Sequence, residues 1–289
     1  MVYAKKSLGQ NFLNSKTVAR DIVRAGELLP TDTVLEIGPG KGFLTVELLA
    51  TGARVVAVEK DDRMIPILQE KFANEIKKGQ LSLINADIMD VFQNKGPSFI
   101  FGAKKEKIKD GPLFEYKLVA NIPYYLTGQI IRTFLEAGKK PERMILMLQK
   151  EVATRIVARD KKESILSIAV KAYGTPKLIK KVPARYFTPS PKVDSAILAI
   201  LNISGKHFLD KKSEEHFFEI VRAGFAHKRK FLAGNLKEFF KEKTADILKG
   251  ANISETARAE NLTLENWLAI AKRSPRAHQC LKTRMSPRS

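Results

Sequence analysis

Thr33-Val34-Leu35-Glu36-Ile37-Gly38-Pro39-Gly40-Lys41-Gly42 is the stretch that decides the fold of this 289-residue chain. Its first five residues have the composition of a short strand, and residues 43–49 have the spacing of a helix. A strand, a tight glycine loop and a helix in this order are typical of a nucleotide-binding βαβ unit. Because glycine has no Cβ, Gly38 and Gly40 allow a ligand to approach the backbone. The G-x-G-x-G spacing and the acidic Glu36 disfavour a dinucleotide fold.

Two further predicted strands lead to acidic side chains. Residues 54–58 are followed by Glu59, and residues 81–85 are followed by Ala86 and Asp87. An acid about 20 positions beyond the glycine loop is suited to accept hydrogen bonds from the hydroxyls of a ligand ribose. Each acid alone is consistent with a solvated strand end, but two acids facing one glycine loop favour a ligand site.

Asn121-Ile122-Pro123-Tyr124-Tyr125 follows the apolar run Leu118-Val119-Ala120, which predicts a buried strand. Ligands of open α/β sheets bind at the carboxyl ends of the strands. There, an amide oxygen and a backbone carbonyl would accept the two N–H bonds of an adenine amine, while an aromatic ring stacks on the base. On these residues alone, a strand followed by a proline turn with core aromatics is an alternative.

The order of predicted elements indicates two domains. Strands and helices alternate through about residue 173, which favours a parallel α/β sheet with helices on both faces. Residues 177–182 and 193–201 predict two last strands, which would form an antiparallel edge. Beyond Asn202-Ile203-Ser204-Gly205 the apolar spacing is helical throughout. We predict an α/β domain over residues 1–203, a small all-α domain over 204–273, and a disordered basic tail over 274–289.

The charge balance predicts a polyanionic partner. The chain has 51 Lys and Arg against 31 Asp and Glu, a net charge of +20 and a pI near 9.9. Both halves are basic, as expected for a nucleic-acid-binding surface, although a lysine-rich proteome is an alternative. One cysteine and four scattered histidines exclude a disulfide framework and predict no metal site. The lack of an export signal or a long apolar run predicts a cytoplasmic protein.

Five segments, in the right order, resemble the ribosomal RNA adenine dimethyltransferases. They are Leu8-Gly9-Gln10-Asn11-Phe12-Leu13, Glu36-Ile37-Gly38-Pro39-Gly40-Lys41-Gly42, Asn121-Ile122-Pro123-Tyr124, Phe187-Thr188-Pro189-Ser190-Pro191-Lys192-Val193-Asp194-Ser195-Ala196 and Phe225-Ala226-His227-Lys228-Arg229-Lys230. The resemblance implies a Rossmann-like class I methyltransferase sheet with S-adenosyl-L-methionine as cofactor. It also implies dimethylation of two adjacent adenosines near the 3′ end of small-subunit (16S) ribosomal RNA, by a monomer acting on the immature small ribosomal subunit.

The resemblance and the chemistry of the side chains together imply residue roles. Asn121 would hold the target amine, with the carbonyl of Ile122 or Pro123, and Tyr124 and Phe187 would sandwich the base. The expected cofactor-binding residues are Gln10, Asn11, Leu13, Gly38, Gly40, Glu59, Asp87, Ile88 and Asn121. The expected RNA-binding residues, at the start of a C-terminal helix, are Lys228, Arg229 and Lys230.

Two alternatives share this fold. The first is a related resistance methyltransferase that modifies an adenine of large-subunit RNA, and Gly9 with residues 191–196 look less like that group. The second is a ribosome-assembly factor without catalysis, which the complete set of site residues disfavours. A hydride-transferring Rossmann enzyme is a more remote possibility.

One segment departs from the family pattern. The stretch between Asp87 and Asn121 is longer than usual and contains Lys104, Lys105, Lys107 and Lys109. We predict that residues 95–116 form an extended hairpin around this lysine run. The run would be either an extra RNA contact or a solvated surface loop.

Overall fold

A computed structural model of the chain describes residues 3–5, 8–92, 100 and 115–274. Their strands are β1 Phe12–Leu13, β2 Thr33–Ile37, β3 Arg54–Glu59, β4 Leu81–Asn85, β5 Lys117–Asn121, β6 Arg143–Gln149, β7 Thr175–Val182, β8 Phe187–Thr188 and β9 Ser195–Leu201. Their helices are α1 Lys16–Gly26, α2 Phe43–Leu49, α3 Met64–Lys71, α4 Ala73–Lys77, α5 Ile88–Asp90, α6 Thr127–Glu136, α7 Lys150–Ile156, α8 Ile165–Tyr173, α9 Lys211–Gly224, α10 Leu232–Phe240, α11 Thr244–Gly250 and α12 Leu264–Arg273.

In the described residues, seven strands form a mixed sheet in the order β4-β3-β2-β5-β6-β9-β7. The strands from β4 to β6 are parallel, and β9 pairs antiparallel with both β6 and β7. This arrangement confirms the predicted α/β sheet and its antiparallel edge. Parallel strands end at the same edge, so the carboxyl ends of β2, β3, β4 and β5 meet there.

The central strands are buried on both faces. Val34 and Val119 belong to a core that also contains residues of α1, α2 and α3, while their neighbours Leu35 and Leu118 are also fully buried. A parallel strand covered on both sides is apolar along its whole length rather than alternately. This explains the continuous apolar runs, and it leaves Glu36 as a charged exception.

A second, two-stranded sheet joins the N-terminus to a distant part of the chain. β1 pairs antiparallel with β8, so that Phe12 lies opposite Thr188 and Leu13 opposite Phe187. The Asn14 N–H also donates to the carbonyl of Tyr186 at 2.9 Å. These bonds attach the segment before α1 to the segment before β9.

The chain divides into two compact units. Of the described residues, the first unit contains those up to residue 153 and residues 174–204, and the second contains residues 154–173 and 205–274. In the second unit, α8 packs against α9 and α12. The Tyr173 hydroxyl donates to Glu214 at 2.6 Å, and the Tyr173 ring stacks on Phe218.

This division differs from the predicted boundary because residues 154–173 precede two strands of the sheet yet pack with the C-terminal helices. The helical nature of the C-terminal region is confirmed. There, α9 can lie close to the buried Trp267 because residue 224 is glycine, where a Cβ would come within 2.3 Å of the indole.

Two sequence predictions lie outside the described residues. They are the hairpin with its lysine run, apart from Ile100, Glu115 and Tyr116, and the basic tail beyond Ser274. Across the part of the chain that is described, no helix has the length and apolarity needed to span a membrane.

Candidate active site

The glycine loop connects β2 to α2 at the carboxyl edge of the sheet. Gly38 and Gly40 have φ angles of 67° and 57°, in the left-handed region that favours glycine. The Gly38 N–H donates to the carbonyl of Val58 at 2.9 Å, which ties the loop to β3. A Cβ at Gly40 would lie 2.9 Å from the Phe12 ring, whereas a Cβ at Gly38 would meet no atom of the described residues within 4 Å. The loop therefore has open space at Gly38.

Glu59, the last residue of β3, is buried beside this loop. One carboxylate oxygen accepts the Gly40 N–H at 2.9 Å, and the other accepts the Asp61 N–H at 2.8 Å. Burial raises the pKa of Glu59, and the backbone hydrogen bonds act in the opposite direction. Because each carboxylate oxygen has two lone pairs, Glu59 can still accept hydrogen bonds from a ligand.

Asp87 lies just beyond the end of the neighbouring strand β4 and caps α5. Its Oδ1 accepts the Met89 N–H at 2.8 Å, and its Oδ2 pairs with Lys60 Nζ at 2.6 Å. Lys60 directly follows Glu59, so this ion pair joins the two strand ends. The two acids predicted from the sequence therefore lie at adjacent strand ends.

Asn121, at the end of β5, presents one side of its amide as a free acceptor. Its Nδ2 donates to the carbonyl of Asn11 at 3.1 Å, while its Oδ1 has no hydrogen-bond partner among the described residues. Three residues later, the Tyr124 hydroxyl forms a hydrogen bond of 2.7 Å with Ser195 Oγ. Burial raises the pKa of Tyr124, and the bond to Ser195 attaches its ring to β9.

The N-terminal segment, residues 8–13, lies against these strand ends. Gln10 Nε2 donates to Asp61 Oδ2 at 2.8 Å, and Gln10 Oε1 accepts the Lys5 N–H at 2.8 Å. The Arg63 guanidinium, with the Gln10 amide, holds the pKa of Asp61 at about 2. Gln10 therefore anchors the segment through both ends of its amide.

One cavity of about 1090 Å³, open to solvent, collects these groups. Its lining includes every predicted cofactor-binding and catalytic residue: Gln10, Asn11, Leu13, Gly38, Gly40, Glu59, Asp87, Ile88, Asn121, Tyr124 and Phe187. Phe187 is only 4% exposed and shares its core with Leu13, its partner across the two-stranded sheet.

The predicted RNA-binding residues do not belong to this cavity. Lys228, Arg229 and Lys230 are exposed in a turn of the second unit. The prediction that they begin a helix is wrong, since α10 begins at Leu232. Asn235 explains the difference: its Nδ2 binds the carbonyls of Gly224 and His227 at 2.7 Å and 3.1 Å, which holds the chain in a turn.

The sequence analysis did not predict that Glu36 is a buried residue of the cavity wall. Its side chain lines the cavity and is 1% exposed. Within the described part of the chain, neither carboxylate oxygen has a hydrogen-bond partner, although the Thr45 hydroxyl is close. Burial raises its pKa to about 8, and the Glu59 charge adds to this effect. A charged residue within an apolar strand was the signal available in the sequence. Lys71 was also missed; its Nζ binds the carbonyls of Lys41 and Gly42 and braces the loop.

A family model described as ribosomal RNA adenine dimethylase matches residues 1–275. The chain belongs to this family. A relative from Dehalococcoides mccartyi (strain CBDB1), named ribosomal RNA small subunit methyltransferase A, is 44% identical over 269 residues, which cover 91% of this chain and 86% of the relative. The protein of the same name from Moorella thermoacetica is 36% identical over 272 residues, which cover 93% and 91%.

Two solved structures are similar to this chain over at least 90% of its length. A dimethyladenosine transferase from Plasmodium falciparum is 25% identical, with a TM-score of 0.72 over 90% of this chain and 95% of that one. The 23S rRNA methyltransferase ErmE is also 25% identical, with a TM-score of 0.68 over 91% and 99%. Family membership and these likenesses confirm the predicted fold class, the class of enzyme and S-adenosyl-L-methionine as cofactor.

Proposed function

We propose that this chain transfers methyl groups from S-adenosyl-L-methionine to the exocyclic N6 atoms of two adjacent adenosines near the 3′ end of small-subunit (16S) ribosomal RNA. The observation that carries this proposal is the free Asn121 Oδ1 in the cavity that the glycine loop and Glu59 line. The small-subunit names of relatives at 36% to 44% identity support the choice of RNA.

The residues of the cavity fit this cofactor. Glu59 accepts the ribose hydroxyls, and Asp87 with the Ile88 N–H binds the adenine edge. The open space at Gly38 admits the methionyl part close to the backbone. The N-terminal segment contributes Gln10, Asn11 and Leu13 to the wall of the cavity. When bound, the cofactor supplies a methyl group on a sulfonium, which is an electrophile that needs no further activation.

Asn121 holds the nucleophile in line with that methyl group. The lone pair of the adenine amine is conjugated into the ring, which makes it a poor nucleophile. Asn121 Oδ1 and the carbonyl of Ile122 or Pro123 accept its two N–H bonds and orient the lone pair. The proton leaves after the transfer, so no general base is required. Positioning therefore supplies most of the catalysis.

Tyr124 and Phe187 hold the target base after it has left its stack. A nucleobase must be extruded before its exocyclic amine can reach a closed site. Stacking on an aromatic ring contributes ~1–3 kcal/mol per base, which fixes the base but selects no site. Selection comes from the shape of the RNA, recognised by a basic surface that includes Lys228, Arg229 and Lys230.

The partner that fits this surface is the immature small ribosomal subunit, bound by a monomer in the cytoplasm during ribosome biogenesis. The net charge of +20 supports a large RNA particle as the ligand. The likeness to the 23S rRNA methyltransferase ErmE supports the large-subunit alternative. The identity to ErmE is 25%, which is lower than the 44% identity to the small-subunit relative. The complete lining of the cavity argues against an assembly factor without catalysis.

Mapping N6,N6-dimethyladenosine in both ribosomal RNAs of a deletion strain tests the proposal. We expect two adjacent marks to disappear from small-subunit RNA and to return with the wild-type gene but not with Asn121→Ala. Loss of a mark from large-subunit RNA would favour the resistance-type alternative. Unchanged marks with defective assembly would favour the non-catalytic one.

A further inference from the structure

Phe231 is an aromatic residue whose position neither packing nor helix capping explains. It is 49% exposed in the helical unit. It also occupies the N-cap of α10, where its side chain makes no capping hydrogen bond. Ser, Thr, Asp and Asn are preferred at this position because their oxygens bind the first free N–H groups. A phenylalanine at this position cannot form that hydrogen bond, and about half of its apolar side chain is exposed to water.

Basic residues precede Phe231 in the sequence, and one guanidinium lies near its ring. Lys228, Arg229 and Lys230 directly precede it and are exposed. The Arg258 guanidinium lies over the ring, 6.0 Å from its centroid. Among the described residues, none of these four cations forms an ion pair. The chain has no acidic residue between Glu219 and Glu238.

Hydrogen bonds hold the backbone that carries the ring and the cations. Asn235 fixes the backbone of the turn that carries the three basic residues. The Leu232 N–H donates to the carbonyl of Ala257 at 2.8 Å, which keeps Arg258 beside Phe231. A backbone fixed before binding loses little entropy when a ligand arrives.

We propose that Phe231 is a stacking platform for an unpaired RNA base, with Lys228, Arg229 and Lys230 binding the flanking phosphates. An aromatic face accepts any base, and a guanidinium plane adds a second stacking surface. Phosphate binding alone requires cations and no exposed ring, so the ring identifies the ligand as an unstacked nucleotide. The inference rests on the proposed function only in taking RNA as the ligand.

A fluorescence titration of the Phe231→Trp variant tests for stacking directly. The only natural tryptophan, Trp267, is fully buried, so it contributes a constant background. We expect a short single-stranded RNA of mixed sequence to quench the new indole. An abasic oligonucleotide with the same number of phosphates should leave it unchanged. Equal quenching by both oligonucleotides, or by neither, would overturn the platform.

Affinities of two further variants give a second measurement on the full chain. Phe231→Thr removes the ring and supplies a capping hydroxyl, so the helix is kept. We expect it to lose roughly 5- to 150-fold in affinity for the RNA oligonucleotide, with unchanged affinity for the abasic one, while Phe231→Tyr binds like wild type. Unchanged RNA affinity in Phe231→Thr would overturn the proposal and favour a protein partner for the ring.

The same experiment separates this inference from the proposed function. Methyl transfer to immature small subunits and cofactor binding are measured on the wild-type protein. A wild-type protein without transfer, whose Phe231→Trp variant still shows base-dependent quenching, would contradict the proposed function and support the platform. Normal transfer without such quenching would overturn the platform alone.

Discussion

The side-chain amide of Asn121 donates to the backbone carbonyl of Asn11 at 3.1 Å, across 110 positions of the sequence. This bond fixes which end of the amide faces the cavity, because a carbonyl accepts only from the NH₂ group. The N-terminal segment therefore orients the acceptor proposed to hold the target amine. It also covers the glycine loop through Phe12.

Asn121→Ala should reduce methyl transfer on the order of 10²-fold or more, as expected for the loss of one preorganised polar contact. Affinity for S-adenosyl-L-methionine should stay largely intact, since the amide acts mainly on the target amine. Single-turnover transfer and titration calorimetry measure the two effects. Asn14→Ala, which removes an exposed amide bonded to Thr188, is the matched control. Near-normal turnover in Asn121→Ala would show that its assigned role is wrong.

Glu59→Ala should weaken binding of S-adenosyl-L-methionine by ~1–3 kcal/mol, the usual cost of losing hydrogen bonds to a charged group. It should also lower thermal stability, because the Gly40 and Asp61 N–H groups lose their acceptor. Calorimetry with S-adenosyl-L-methionine and with NAD measures both the loss and the choice of cofactor. Glu47→Ala, which removes a glutamate that pairs with Arg20, controls for charge. Tighter binding of NAD by the wild-type protein would contradict the cofactor assignment.

Glu36 should make folding stability depend on pH. Burial raises its pKa from 4.5 to about 8, so the folded state keeps a proton that the unfolded state releases. Its contribution to stability is complete below pH 4.5 and is lost as the pH rises through 8. The slope in between is up to about 1.4 kcal/mol per pH unit. Denaturant unfolding of wild type and Glu36→Gln across this range should show a steeper loss of stability with pH in wild type than in the variant. Parallel curves of stability against pH for the two proteins would contradict this prediction.

Phe187→Leu should impair transfer more than Phe187→Tyr, because only tyrosine keeps a ring for the target base. Phe187→Ala should in addition lose ~3–5 kcal/mol of folding stability, since the ring is buried with Leu13. Transfer rates at saturating RNA, measured together with melting temperatures, separate stacking from packing. If the leucine and tyrosine variants transferred equally well, Phe187 would be a core residue without contact to the base.

Replacing Lys228, Arg229 and Lys230 together by alanine should weaken binding to small subunits and leave the modified adenines unchanged. The slope of log affinity against log salt should flatten by about two units, at roughly 0.7 to 0.9 per phosphate contact. The matched control replaces the exposed residues Arg54, Lys77 and Lys78. Arg54 begins β3 at the sheet edge away from the cavity. Replacing Lys104, Lys105, Lys107 and Lys109 tests the lysine run in the same assay. Equal slopes in the triple variant and wild type would leave the turn without an RNA contact.

The sequence by itself determined the sheet, the loop and the acids at the strand ends. A run such as Thr33–Ile37 is buried along its whole length because both its faces are covered, and it is mainly apolar for that reason. The glycines after it allow the left-handed φ angles of the loop. Once the strands are parallel, Glu59, Asp87 and Asn121 must lie at one edge, so local pattern was enough to bring them together.

Only the tertiary structure decided which segments pack against that edge of the sheet and which of its acidic side chains keeps a proton. Phe12–Leu13 and Phe187–Thr188 are too short to be predicted as strands, and they pair because the folded sheet brings them together. The orientation of the Asn121 amide and the proton on Glu36 likewise depend on groups distant in sequence. The local sequence pattern determines the preference of a segment for helix or strand. Hydrogen-bond partners and desolvation are properties of the packed neighbourhood, which exists only after folding.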